Sequence, residues 1–319
     1  MKKFYSVLFL VLLSLGVLAG CGETKEIKEE SKPATEEKVE AEFPVTIKDA
    51  LDNDVVIEAK PEKIVSLIPS NTEIAFALGL NKEIVGVSDF DNYPEEATTK
   101  EKIGGMEFNL EKIISLNPDL VLAHASSAHN STEGLQQLRD AGITVFVVQN
   151  AANFDEVYET IQVIGTVTGE KEEAEKIVAN MKAKIDEIKT KAASIKEKKV
   201  VFVEVSPAPD IYTPGKNTFM DEMLTMVGAE NAASDLEGWV KIDQEAMIER
   251  NPDVVLTTYG YYSEDPVGQV LSREGWGNVT AVKEKQIFDV DSDMTSRSGP
   301  RLVEGVEAIA KAVYPEVFK

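Results

Sequence analysis

Cysteine is nearly absent from this chain: its 319 residues include one, Cys21. No internal disulfide can form, so the fold rests on its core alone. Histidine is scarce, with two residues, too few for a zinc site that draws three or four ligands from His and Cys. Positive charge is short. Lys and Arg number 33 against 56 Asp and Glu, giving a formal net charge of −23. Such a balance excludes nucleic acid as a partner and excludes electrostatic adhesion to an anionic membrane surface. Long apolar runs are missing apart from Phe4–Leu18, which falls short of the roughly 20 residues that span a bilayer. The usual catalytic motifs are also missing. Pro214-Gly215-Lys216-Asn217 lacks the first glycine of a phosphate-binding loop, and no Gly-x-Ser-x-Gly elbow occurs. His124 and His129 flank Ser126 and Ser127 without the context of a catalytic triad. The chain reads as a non-enzyme, with an enzyme acting at the cell surface as the distant alternative.

What is present begins at the N-terminus. Lys2 and Lys3 precede the apolar run, and Leu18-Ala19-Gly20-Cys21 ends it with small residues. This is the pattern of a secretory signal over residues 1–20. A cysteine at the cut resembles the bacterial lipoprotein box, in which the thiol is acylated and becomes the new N-terminus. Residues 21–42 are rich in Glu and Lys and nearly free of large apolar side chains. They read as a disordered acidic spacer between the lipid on Cys21 and the folded body. The expected location is the extracytoplasmic face of the cell membrane, with the lipid as sole attachment.

The body is long enough for two domains. Phe43–Ile47 and Asp54–Ile57, around Asp52-Asn53, predict a β-hairpin. Buried-strand runs follow at Lys63–Ile68, Ile84–Val87, Leu120–Ala123 and Thr144–Val148. Between them lie helical patterns, the first opening at Pro69 with Ser70 or Asn71 as N-cap. Strand alternating with helix means βαβ units and a mostly parallel sheet. Residues 167–198 differ: Ala174, Ile177, Met181, Ile185, Ile188 and Ala192 keep helical spacing without a proline. About 27 residues at 1.5 Å each predict a rod of about 40 Å. The βα alternation then resumes to the C-terminus. The reading is an α/β lobe at 43–166, a connecting helix at 167–198, and a second α/β lobe at 199–319.

The two halves echo each other. Asn109–Leu122 and Asp243–Leu256 align at a constant offset of 134. In each, a short helix ends at Asn-Pro-Asp before a buried strand, and a glutamate, Glu111 or Glu245, stands in the first turn. Proline blocks helix continuation there and sets the turn into the strand.

Ile64–Gly79, with Ser70-Asn71-Thr72-Glu73, and Val85–Pro94, and Ser292–Arg301 together resemble the substrate-binding lipoproteins of ABC importers for iron–siderophore, haem and cobalamin ligands. The match covers about 43–319 and is nearest to the cobalamin-binding members. The resemblance implies two Rossmann-like lobes joined by one long rigid helix, the class III periplasmic-binding-protein fold, with the ligand between the lobes. It implies a transported chelate, cobalamin first and ferric siderophore or haem second, rather than a resident cofactor. It also implies a membrane permease and ATPase as partners of a monomeric binding protein. Ligands of α/β lobes meet the loops beyond the C-terminal strand ends. In this chain those loops carry Ser70, Asn71, Phe90, Tyr93, His124, Trp239, Tyr259, Asp293, Met294, Thr295, Ser296 and Arg297 as ligand-binding candidates. Tyr212, Tyr261 and Tyr262 add to the aromatic walls that suit a flat macrocycle. Phe90 stands where the cobalamin relative has tyrosine, and His124 and Met294 stand where it has tryptophans. His124 is either a wall residue or an axial metal ligand, and the wall is favoured. Arg297 is the main pocket cation. Glu111 and Glu245 are expected to dock on the permease, with Glu73 a weaker candidate of the same kind.

Overall fold

The computed structural model describes residues 43–319, so the signal sequence, Cys21 and the spacer lie outside the described residues. The body opens with β1 (Val45–Lys48) and β2 (Asp54–Ile57), paired antiparallel as the alternation predicts. Asp49 closes the turn: its carboxylate accepts from the backbone of Leu51 and Asn53 and from the Asn53 amide. Then come β3 (Ile64–Ser66), α1 (Pro69–Ala77), β4 (Ile84–Val87), β5 (Glu101–Lys102), α2 (Leu110–Leu116), β6 (Leu120–His124), α3 (Ala125–Ala128), α4 (Thr132–Asp140) and β7 (Thr144–Val148). The five strands from β3 to β7 form one parallel sheet in the order β5-β4-β3-β6-β7.

Two helices follow, α5 (Phe154–Thr168) and α6 (Lys171–Ala192). Gly169 separates them. Its φ of +77° stops α5 with a left-handed cap, a conformation that glycine adopts without a Cβ penalty. The long helix therefore starts at Lys171, not at 167, and its 22 residues span about 33 Å. Its buried face is Ala174, Val178, Met181, Ile185, Ile188 and Ala192. Val178 replaces Ile177 in that stripe, which gives alternating steps of four and three residues, a seam that stays on one side of the helix.

The second lobe contains β8 (Val200–Glu204), β9 (Tyr212–Pro214), α7 (Phe219–Met226), β10 (Glu230–Asn231), β11 (Trp239–Lys241), α8 (Gln244–Arg250), β12 (Val254–Thr257), α9 (Pro266–Leu271), α10 (Thr280–Lys283), β13 (Ile287–Asp289), α11 (Ser292–Ser296) and α12 (Leu302–Val313). Its parallel sheet runs β10-β8-β12-β13, and β9 pairs antiparallel with β11 as a separate ribbon. The molecule is thus α/β with two Rossmann-like lobes, the class III arrangement. The lobes also touch directly. One continuous apolar core runs from the N-terminal sheet through α5 and α6 to α7 and α12. Phe154 meets Phe219 edge-on at 6.3 Å, and the Phe154 N–H donates to Glu222 at 2.9 Å.

The internal echo has a structural cause. Asn117 and Asn251 end α2 and α8 in the left-handed conformation. Asp119 then accepts from the N–H groups of Glu62 and Lys63, and Asp253 accepts from that of Val200. Each Asn-Pro-Asp therefore turns the chain and ties the incoming strand to its neighbour.

Candidate functional site

The strands of the five-stranded and of the four-stranded sheet are all parallel, so each lobe gathers the loops that follow these strands on one edge. The two edges face each other where α11, after β13, meets the loop after β4. Asn92 donates to Asp293 at 2.8 Å, and Arg297 donates to the carbonyl of Phe90 at 3.4 Å and to Asn92 Oδ1 at 2.7 Å. The gap between these edges is the candidate binding site.

Exposed aromatic side chains stand on both lobes. On the N-terminal side Phe90 is 53% exposed and Met106 is 80% exposed. They border a hollow of about 160 Å³ with Leu67, Ile68, Phe108 and Ser126. Gly104 and Gly105 permit this loop. Gly104 has φ +103°, and a Cβ on Gly105 would stand 3.2 Å from the Phe90 ring. Met106 was not among the sequence candidates; the Gly104-Gly105 pair beside it was the available signal. On the C-terminal side, Trp239 is 51% and Tyr261 77% exposed, and Tyr212 and Tyr262 are also exposed. The β9–β11 register places Trp239 opposite Pro214 and Lys241 opposite Tyr212. Residues two apart on a strand share a face, so Trp239 and Tyr212 lie on one face of the ribbon. Tyr261 and Tyr262 meet edge-on at 4.7 Å. Their loop is held from beneath: Gly260 N–H donates to Asp289, and a Cβ there would fall 2.0 Å from that carboxylate.

Several sequence candidates serve the fold instead. Ser70 and Asn71 are not caps. Pro69 occupies the first turn, Ile68 is the N-cap without a side-chain bond, and both residues are buried inside α1. The Asn71 amide donates to the carbonyls of Leu122 and Ala123, pinning α1 to β6. Tyr259 is fully buried, so it cannot wall the gap. Its hydroxyl donates to Glu204, which also receives both Arg273 Nη atoms at 2.7 Å. Burial, then the Glu204 charge, pushes the Tyr259 pKa up and keeps that hydroxyl protonated. Thr295 is buried and donates to the carbonyls of Asp291 and Ser292. Ser296 is exposed, with its hydroxyl on Ser292. Met294 is half-buried. Tyr93 keeps one ring face under the Arg301 guanidinium, 3.9 Å from its centroid.

His124 is nearly buried at the end of β6 and is the N-cap of α3. Its Nδ1 accepts from the Ser126 N–H at 3.2 Å, which leaves the proton on Nε2. Nε2 is covered and has no partner among the described residues. Burial pulls the ring's pKa from 6.5 to about 4, so it is neutral at physiological pH. Axial ligation through Nε2 would need the proton moved to Nδ1, which breaks the cap.

Arg297 and Glu73 differ most from expectation. Glu73 is 3% exposed, not a docking surface. It receives Arg301 Nε and Nη2, and Arg297 Nη1, each at 2.8 Å. Arg297 Nη2 also lies 2.9 Å from Asp293. The pocket cation of the sequence reading is therefore neutralised in a cluster that crosses between the lobes. Asn92, which completes it, was not a sequence candidate. Glu111 and Glu245 are exposed in the first turns of α2 and α8, where the helix dipole favours a carboxylate.

The model of the periplasmic binding protein family matches residues 64–294. An uncharacterised ABC transporter substrate-binding lipoprotein of Bacillus subtilis is 48% identical over the whole of both chains. A cobalamin-binding protein of Halobacterium salinarum is 30% identical, covering 85% of this chain and 74% of its own. Among solved structures, a possible iron-binding periplasmic solute-binding protein of Staphylococcus epidermidis superposes with a TM-score of 0.74 at 39% identity. It covers 80% of this chain and 100% of its own. With two α/β lobes that meet at their strand-end edges and these likenesses, the chain belongs to the periplasmic binding protein family, whose members bind a ligand rather than transform it.

Proposed function

We propose that this chain is the lipid-anchored substrate-binding component of an ABC importer and that it carries a flat metal chelate, cobalamin in the first place. The observation that supports this most is the set of exposed apolar and aromatic side chains carried by loops and strands that follow the sheet strands in both lobes, Phe90 with Met106 on one and Trp239, Tyr212 and Tyr261 on the other. A broad macrocycle buries apolar area on both faces between such side chains, at about 25 cal/mol per Å². The Halobacterium relative's ligand points the same way. A ferric siderophore or haem is the second reading, favoured by the possible iron-binding protein that superposes on this chain. Acylated Cys21 holds the protein at the outer face of the membrane, and Glu111 and Glu245, one per lobe, meet basic residues of the permease.

The test is direct. The detergent-solubilised protein is titrated with cyanocobalamin, haemin and a ferric siderophore while absorbance and melting temperature are followed. Stoichiometric cyanocobalamin binding with a raised melting point is expected. Binding of an iron chelate alone selects the second reading, and binding of none of the three removes both. Cys21→Ser should bind the ligand equally well but leave the membrane fraction without detergent.

A further inference from the structure

All five arginines of the chain are ion-paired. Arg139 faces Asp49, Arg250 faces Asp235, Arg273 faces Glu204, and Arg297 and Arg301 share Glu73. Two lysines near the junction are also engaged, one by a carboxylate and one by backbone carbonyls. Lys241, on the Trp239 face of the ribbon, is bonded to Asp210. Lys102 donates to the carbonyls of Ser88 and Asp91, at the start of the loop that carries Phe90. Arginine is the residue that grips a carboxylate with two parallel hydrogen bonds. Here the two guanidinium groups at the junction of the lobes are already gripped. Glu73 takes three of their N–H donors, Asp293 and Asn92 engage Arg297 further, and the Tyr93 ring covers Arg301. The cluster is balanced, two carboxylates against two guanidiniums. A ligand carboxylate entering the gap would have to displace Glu73 or Asp293, or remain buried without a counter-charge, which is costly. A carboxamide meets no such conflict.

We infer that Glu73, by occupying Arg297 and Arg301, is the residue that sets ligand charge, making the gap selective for neutral, amide-fringed chelates over those bearing free carboxylates. The inference rests on the chelate-binding reading above and narrows it to a substrate class. Glu73 acts as a positioning residue, since it is buried and touches the arginines rather than the ligand.

The experiment compares cyanocobalamin with its monocarboxylate hydrolysis products, in which one side-chain amide has become a carboxylate. Dissociation constants come from quenching of indole emission, for the wild type, Glu73→Gln and Asp293→Asn. The wild type should bind the amide form roughly tenfold more tightly than the carboxylate form, the scale of one uncompensated charge near a protein surface. Each variant frees guanidinium donors and should shrink that ratio by about threefold or more, with the remaining carboxylate binding weakened by added salt. Glu73→Gln removes a buried charge, so its melting point is checked. Asp293→Asn, at a partly exposed site that leaves the Glu73 pairs in place, keeps the test valid if Glu73→Gln does not fold. Equal affinities in the wild type, or one ratio across all three proteins, overturns the inference while leaving chelate binding standing. Tighter wild-type binding of haemin, with its two carboxylates, than of cyanocobalamin also overturns it. Binding of no chelate overturns the functional reading and the inference together.

Discussion

Single side chains decide whether the gap is a binding site or only a crevice. Trp239 is half exposed on a three-residue strand, so truncation removes little of the core. Trp239→Ala should weaken chelate binding by about 1–3 kcal/mol if the indole covers one macrocycle face, with a smaller change in stability. An unchanged dissociation constant would move Trp239 out of the site. His124 predicts a pH effect of definite sign. Burial lowers its folded pKa to about 4, below the usual 6.5. The unfolded chain therefore binds the extra proton first. The stability linked to this ring is fully present above about pH 6.5 and is lost as pH falls from there toward 4. The melting temperature of the wild type should drop more between pH 7 and 5 than that of His124→Gln, in which nothing titrates at that position. Equal slopes would show that the ring titrates normally in the folded protein.

At the scale of elements, two devices hold the walls in place. The first is the pin between α1 and β6, where a buried amide satisfies two strand carbonyls. Asn71→Leu removes the amide donor from the Ala123 carbonyl, while the Leu122 carbonyl keeps the Leu67 N–H, and should cost about 1–3 kcal/mol, read as a lower denaturant midpoint. The second is α6, whose six-residue apolar seam joins the shared core. Met181→Ala should cost about 2–5 kcal/mol through lost burial and the cavity left behind. The same truncation at Ile177, half-buried beside the seam, should cost clearly less. Equal losses would mean that the seam is misplaced by one residue. Sequence periodicity found this helix but put Ile177 in its seam and its start at 167. The spacing of Ala174 to Met181 allows either 177 or 178, and packing against α5 and α12 selects one.

For the whole molecule, two lobes sharing a continuous core make a stiff body, and one exposed glutamate stands on each lobe at repeat-equivalent positions. Exposed ion pairs are individually weak, about 0–1 kcal/mol. Two on a stiff body can nonetheless fix the orientation of docking. Replacing Glu111 and Glu245 together by alanine should cut cellular uptake of the ligand while equilibrium binding stays the same. Arginine at both places should be worse, because like charges then oppose. Normal uptake by the double-arginine protein would leave the glutamates as helix N-terminal charges and nothing more. No described helix is long and apolar enough to cross a membrane.

Sequence alone determined the alternation of strand and helix, the two-lobe division, the offset of 134 residues and the loops that face the gap. These are local or periodic properties: strand-length apolar runs, Asn-Pro-Asp turns and a long proline-free stretch write themselves into neighbouring residues. Tertiary structure alone decided which candidates stay exposed. Phe90 and Trp239 are exposed, whereas Tyr259 turns inward to Glu204, Ser70 is buried in α1, and Asn71 and Thr295 close hydrogen bonds within the fold. The charge of the gap was equally illegible. Glu73 and Arg297 are 224 positions apart, so no local pattern shows that one neutralises the other. Their pairing exists only because two sheet edges are folded face to face, and burial then makes leaving either charge alone too costly.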